Sequence, residues 1–163
     1  PTTIVHIEDG GYMEMETTQI KGVDSTVRDT KADLADGATL VIKEKIMTHG
    51  RQTAETNFTV ELNGVDSSAN VISRSVAKGE SKQVFNSNFC GYNQCYGHTE
   101  CDAILMDNGH VKAVPSLEAN NLDASLVHEA AIGKIAGDQL IKLMTLGLTE
   151  AQAEEQIING FMK

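Results

Sequence analysis

A thiol, an imidazole and carboxylates lie close together in one part of the sequence. Cys101-Asp102 is followed by His128-Glu129, so that Cys101 and Glu129 are only 28 positions apart (129 − 101). Thiolate, imidazole and carboxylate all bind iron, imidazole also moves protons near neutral pH, and a thiolate carries sulfur as a persulfide. The residue types indicate a site that handles iron or sulfur. Purely structural roles are the alternative, and spacing alone favours them.

Three cysteines, Cys90, Cys95 and Cys101, are clustered in the sequence, with His98 between the last two. An odd number argues against a complete disulfide framework and favours a reduced, cytoplasmic protein with partly buried thiols. The more specific alternative is that Cys90, Cys95 and His98 together bind a metal. Cys95 and His98 have the close spacing of metal loops, whereas Cys90 does not, so a structural zinc site is disfavoured. The turn-rich sequence around Gly91 predicts a loop in which solvent reaches the thiols.

Composition excludes several classes of protein. The 163-residue chain has 13 Lys and Arg against 23 Asp and Glu, a net charge of −10, which disfavours nucleic acid and anionic membranes as partners. Aromatic content is 4% with no Trp, so stacking on bases is also unsupported. No apolar run has the length of a membrane span, and no signal peptide is recognisable. A first residue of Pro rather than Met favours a fragment or a processed product.

Most of the chain has the pattern of short strands. Residues 58–62 alternate apolar and polar side chains, and residues 39–42, 70–76 and 103–106 are similar short apolar segments. Glycines recur at fairly regular intervals along this region, at Gly22, Gly37, Gly50, Gly64, Gly79, Gly91 and Gly109. Strand–turn units of near-constant length predict a β-sandwich or a stacked β-solenoid, and periodicity does not decide between the two.

The C-terminal part of the sequence has a different pattern. Apolar residues at helical spacing predict one helix that begins with Asp138 as N-cap and ends before Gly147. Thr149 to Gln152 fits a capping box at the start of a second helix, which ends at or just after Gly160. We therefore divide the chain into a β domain, residues 1–135, and a helical hairpin, residues 136–163. The hairpin either covers an open end of the β domain or docks a partner.

Motifs for common enzyme chemistry do not occur. There is no Walker-type phosphate loop, no Gly-x-Gly-x-x-Gly after a strand and no Gly-x-Ser-x-Gly elbow. A cysteine hydrolase or transferase using Cys101 and His128 would need an oxyanion hole and a substrate pocket that the sequence does not indicate. We therefore expect no enzyme and no catalytic residue.

Seven segments, taken in order, resemble the SufB/SufD family of iron–sulfur cluster assembly proteins. They are SRSVA at 73–77, ECDAIL at 100–105, PSLE at 115–118, LVHEAAIGKI at 126–135, GDQL at 137–140, LGLTEA at 146–151 and IINGF at 157–161. The resemblance is clear over residues 70–163, and residues 1–70 fit only by general character. It implies a mainly β protein, a right-handed parallel β-helix (β-solenoid) followed by a small C-terminal helical hairpin.

The resemblance also implies partners. Family members work with SufC, an ATPase of the ABC type that contacts the helical tail, and two β-helices pair through their C-terminal ends. We therefore expect a homodimer, or a heterodimer with a SufB/SufD paralogue, with Cys101 and His128 near the interface. Residues 103–106 and 125–129 are the candidates for the paired strand edge.

Cys101 together with His128-Glu129 resembles the SufB branch, which is associated with building the nascent cluster. This implies Cys101 as the sulfur- or iron-binding residue, Glu129 as an oxygen ligand and His128 as a ligand or proton carrier. The cofactor implied is a transient iron–sulfur cluster, which a purified fragment need not retain. If residues 127–129 are extended, His128 and Glu129 face opposite ways and cannot both face Cys101 without a bulge.

Some features depart from the family pattern. Cys90 and Cys95 have no place in it, and the chain lacks the N-terminal region of longer members, so a flavin that depends on that region is not implied. The hypotheses are a cluster-assembly scaffold and, as the alternative, a SufD-like structural subunit that organises the complex without binding the cluster.

Overall fold

The computed structural model describes residues 1–20 and 23–163, so the turn predicted at Gly22 lies outside the described residues. Their elements are ten β-strands followed by two α-helices. The strands are β1 Thr2–Ile7, β2 Tyr12–Gln19, β3 Ser25–Leu34, β4 Thr39–Thr48, β5 Thr53–Leu62, β6 Ser67–Ala77, β7 Lys82–Gly91, β8 Cys95–Leu105, β9 His110–Ala119 and β10 Ala124–Lys134. The helices are α1 Gly137–Thr145 and α2 Glu150–Phe161.

Odd-numbered and even-numbered strands form two separate parallel sheets. One has the order β1-β3-β5-β7-β9 and the other β10-β8-β6-β4-β2. Asp29 pairs with Asn57 and Asn57 with Asn86, so the chain completes one turn in 28 positions (57 − 29) or 29 (86 − 57). Every strand therefore pairs with the strand one full turn away. This confirms a parallel β-solenoid of five turns and excludes the sandwich.

The glycine spacing corresponds to half a turn, because each turn contains two strands and two bends. Gly37, Gly50 and Gly79 have φ of +64°, +58° and +72°, a backbone conformation that disfavours residues with a Cβ. Gly64 is needed for a different reason: a Cβ there would lie 2.1 Å from the carbonyl carbon of Ala35 in the preceding turn. Bends of successive turns therefore stack directly on one another.

The space between the two sheets is apolar on one side and polar on the other. Leu34, Leu62 and Phe89 at the ends of odd-numbered strands face Leu40 and other apolar side chains near the starts of the even-numbered strands. Further along the even-numbered strands many inward side chains are polar. The buried polar residues of the described chain are Thr30, Glu44, Thr48, Thr56, Ser67, Ser73, Ser75, Ser81, Gln83, Ser87 and Thr99.

The last turn, formed by β9 and β10, has uncovered edges. Both strands pair on one side only, and most of their residues are exposed. Residues 125–129 do lie on the edge strand β10. The prediction that residues 103–106 form an edge is wrong, because β8 is hydrogen-bonded to β6 and to β10.

The helical hairpin follows the solenoid directly. The predicted Asp138 N-cap is wrong: the N-cap is Ala136, which has no side-chain capping bond, and Asp138 lies in the first helical turn. The capping box of Thr149 and Gln152 is confirmed. Ile141 and Leu146 remain 63% and 75% exposed, so the hairpin presents apolar side chains to solvent. Among the described residues, neither helix has the length and apolarity needed to span a membrane.

Candidate functional site

Cys101 and His128 face the interior of the solenoid from neighbouring strands. Side chains alternate along β8, where Thr99, Cys101 and Ala103 point inward, and along β10, where His128 pairs with Thr99 and Ala130 pairs with Cys101. Strand spacing and rise place the Cα atoms of Cys101 and His128 about 8 Å apart on the same face of the sheet. The structure therefore brings the predicted thiol and imidazole together.

The Cys101 thiol is buried and strongly disfavours ionisation. Its residue is 1% exposed. Burial, followed by the charges of Asp102 and Glu44, raises the pKa of Cys101 to about 12. At neutral pH this cysteine is a neutral thiol, and it becomes a thiolate only if a cation or a base compensates for the lost proton.

The His128 imidazole is neutral and has two nitrogens without hydrogen-bond partners. Burial lowers the pKa of His128, the neighbouring His98 lowers it further, and the nearby backbone of Thr99 opposes the shift. Neither Nδ1 nor Nε2 forms a hydrogen bond of ordinary geometry within the described part of the chain. Buried polar atoms without partners are rare in folded proteins, which makes His128 a candidate for binding a ligand or accepting a proton.

A buried carboxylate lies in line with Cys101. Glu44 pairs with Ser73 and Ser73 with Cys101 on three successive strands of one sheet. Glu44 accepts hydrogen bonds from Arg28 at 2.9 Å, Ser73 at 2.9 Å and Thr56 at 3.0 Å. Burial nevertheless raises the pKa of Glu44, against the opposing effect of the Arg28 charge.

Sequence reasoning missed this carboxylate. The signal was present, because Leu40, Ile42 and Ile46 are two or four positions apart along β4, and Glu44 occupies an inward position in the same alternation.

Glu129 lies on the opposite face of the sheet from Cys101. It pairs with Glu100, whose side chain points outward, and its carboxylate contacts His98 Nε2 at 3.2 Å. As expected for an extended strand, His128 and Glu129 point to opposite faces of the sheet, and β10 has no bulge that would turn both toward Cys101. Within one chain the structure does not place Glu129 beside the thiol.

The outer face instead gathers His98, Glu100 and Glu129. One ligand atom from each lies within 4.8 Å of the other two. His98 Nδ1 lies 2.8 Å from the Asn70 amide oxygen. Burial and the adjacent Asp102 raise the pKa of Glu100. Of these residues, sequence reasoning had singled out His98 and Glu129 but had not paired them.

Cys90 and Cys95 are separated from this group and from each other. Cys90 lies on the outer face of the other sheet, with its Sγ 3.9 Å from Glu118 Oε2, and Cys95 faces inward at the start of β8. Burial raises the pKa of both thiols. The predicted solvent-reachable loop is wrong, since all three cysteines are buried free thiols, and the structure does not bring Cys90, Cys95 and His98 to one point.

The chain matches a known protein family over almost its whole length. Residues 2–161 match the family model described as SUF system FeS cluster assembly, SufBD core domain. The chain belongs to the SufBD family. An iron–sulfur cluster assembly SufBD family protein of Archaeoglobus fulgidus is 30% identical over the whole chain, which covers 44% of that relative. One from Methanocaldococcus jannaschii is 31% identical over 99% of the chain and 52% of the relative.

A third relative with the same family name, from Pyrococcus horikoshii, is 35% identical over 80% of the chain, with 40% of its own length covered. The chain thus spans about half the length of these relatives, or less. The match to the SufBD family confirms the resemblance drawn from the seven sequence segments.

Proposed function

We propose that this SufBD chain is a scaffold on which an iron–sulfur cluster is assembled, with the Cys101 thiol as its anchor, as in the SufB branch. The observation that carries the proposal is the pairing of a buried thiol with a neutral imidazole on one inner face, in the last two turns of the solenoid. Thiolate is the usual protein ligand of iron–sulfur clusters.

The two side chains have complementary proton chemistry. When iron binds Cys101, the sulfur–hydrogen bond breaks and a sulfur–iron bond forms, and the released proton passes to His128. Burial and the nearby His98 lower the pKa of His128, so the imidazole is unprotonated at neutral pH and takes up the proton only in passing, before it is released to solvent. Iron supplies the positive charge that the buried thiolate needs, because cations lower the pKa of a coordinating thiol.

Partner binding belongs to the same proposal. A SufC-type ATPase would dock on the helical hairpin, where Ile141, Met144 and Leu146 are exposed apolar side chains. A second copy or a SufB/SufD paralogue would pair with the β9–β10 edge, where strand hydrogen-bonding groups are free on one side. Such pairing would bring Cys101 and His128 close to the interface, and the partner's edge could supply further ligands.

A SufD-like structural role is the second candidate. It is favoured by the raised pKa of the Cys101 thiol and by the position of Glu129 on the other face. In this role the chain would organise the complex without binding the cluster, and its thiol would serve only as a small buried apolar group.

Anaerobic reconstitution with iron and sulfide, followed by visible absorption, separates the two roles. We expect the wild type to form a chromophore, Cys101→Ser to lose it, and His128→Gln to form it more slowly. Cys90→Ser is the matched control, because Cys90 is equally a buried thiol but lies on the outer face of the other sheet. If Cys101→Ser retains clusters as well as the wild type, Cys101 is not the anchor and the proposal is wrong; if the wild type itself forms no chromophore, the structural role stands.

A further inference from the structure

His98, Glu100 and Glu129 form a compact set of metal-binding groups outside the cysteine site. His98 and Glu100 are separated by one residue on β8 and so share its outer face, and Glu129 is the register partner of Glu100 on β10. One imidazole nitrogen and two carboxylate oxygens lie within 4.8 Å of one another. Three ligands from two adjacent strands converge without any loop.

The separation of the donor atoms suits a small divalent cation. Ligand atoms about 2.1 Å from a metal, at tetrahedral or octahedral angles, lie about 3.0–3.4 Å from one another. His98 Nε2 and Glu129 Oε2 are 3.2 Å apart. The Glu100 carboxylate lies within 4.8 Å of both atoms, so rotation of its side chain toward them would complete the set, and exposed Glu129 leaves room for water in the remaining positions.

The imidazole is oriented by a separate residue. Asn70, one strand further from the edge, places its amide oxygen 2.8 Å from His98 Nδ1, so Nδ1–H donates and Nε2 is directed at the carboxylates. Metal-binding histidines are typically oriented in this way through their other nitrogen. His98 is also only 15% exposed at its side chain, so its ring has little freedom to turn away.

The negative charge around these three residues also favours binding of a cation. Glu100, Asp102 and Glu129 bring three carboxyl groups near one imidazole, and the charge of Arg74 only partly opposes the raised pKa of Glu100. A divalent cation bound between these groups would offset the mutual repulsion of the carboxylates.

We propose that His98, Glu100 and Glu129 form a binding site for a divalent first-row transition metal, of which iron(II) is the relevant one. The nitrogen and oxygen donors suit iron(II), manganese(II) or zinc rather than soft cations. The choice of iron rests on the proposed function. Because Glu100 and Cys101 are adjacent on β8, the site holds iron on the outer face of the strand whose inner face carries the cluster-anchoring thiol.

Calorimetric titration of the purified protein with manganese(II), and anaerobically with iron(II), tests the site. We expect one equivalent of either metal to bind. His98→Ala and Glu129→Gln should each weaken affinity tenfold or more. In the manganese(II) complex, electron spin echo modulation from the imidazole nitrogen should disappear in His98→Ala.

Two controls separate this inference from the proposed function. Cys101→Ser should bind manganese(II) as the wild type does, while losing the reconstituted chromophore. Glu118→Gln, on the outer face of the other sheet, should change neither property. If the wild type binds neither metal, or if folded His98→Ala and Glu129→Gln both bind as tightly as wild type, the outer-face site is refuted. A chromophore that still depends on Cys101 would then leave the scaffold proposal intact.

Discussion

The buried ion pair of Arg28 and Glu44 allows a direct test of what stabilises the polar part of the interior. Glu44→Gln removes the carboxylate charge while keeping the shape of the side chain. An amide oxygen in the position of Oε1 can still accept the hydrogen bond from Thr56, and the amide nitrogen in the position of Oε2 can donate to the Ser73 hydroxyl, but the Arg28 guanidinium loses its counter-ion. The Arg28 side chain is only 16% exposed and the Glu44 side chain 1%, so water cannot take over the role of the missing charge.

Removing one partner of a buried pair costs about 3–5 kcal/mol. For a protein of this size, 1 kcal/mol corresponds to roughly 2–4 °C in Tm. We therefore expect Glu44→Gln to lower Tm by roughly 6–20 °C. The double variant Arg28→Met/Glu44→Met should recover most of this loss, because it leaves no uncompensated charge inside the solenoid.

Urea denaturation followed by far-ultraviolet circular dichroism would measure the free energies. Glu16→Gln is the matched control, since it breaks a 3.0 Å pair with Lys45 on the outer face, where Glu16 is 54% exposed, and should cost less than about 1 kcal/mol. A loss below about 1 kcal/mol in Glu44→Gln would refute the argument, as would a double variant no more stable than the single one.

Two further outcomes follow from Cys101 and from the stacked bends. The pKa of Cys101 is raised from 9.0 to about 12, so the folded protein keeps a proton that the unfolded chain releases. The resulting stability is present below pH 9 and is lost, at about 1.4 kcal/mol per pH unit, between pH 9 and 12. Urea midpoints at pH 8 and 10.5 should therefore fall more in the wild type than in Cys101→Ser, and equal falls would contradict the assigned burial. Gly64→Ala should lower the free energy of unfolding by about 1–3 kcal/mol or more, because its Cβ would lie 2.1 Å from Ala35. Gly133→Ala is the control, since a Cβ there meets no atom within 4 Å, and it should leave Tm unchanged. Similar Tm values for the two variants would argue against stacked bends.

Local patterns in the sequence determined the kind of element and the direction of each side chain. Alternation in residues 58–62 correctly placed a strand there, now part of β5, and the Thr149 capping box correctly placed the start of α2. The same period of two predicted that His128 and Glu129 face opposite ways. These properties depend on residues a few positions apart, so the sequence carries them directly.

The tertiary structure decided which residues become neighbours. Each strand pairs with a strand that lies a full solenoid turn away in the sequence. Local sequence patterns do not extend over that distance, so the strand and turn spacing was equally compatible with a sandwich and a solenoid. The register of β10 on β8 then placed His128 on the inner face with Cys101 and Glu129 on the outer face with His98. Cys90 was separated from Cys101 because the bend between β7 and β8 carries the chain from one sheet to the other, whereas Cys95 lies on β8 itself and is kept apart from Cys101 by the six positions between them along the strand (101 − 95).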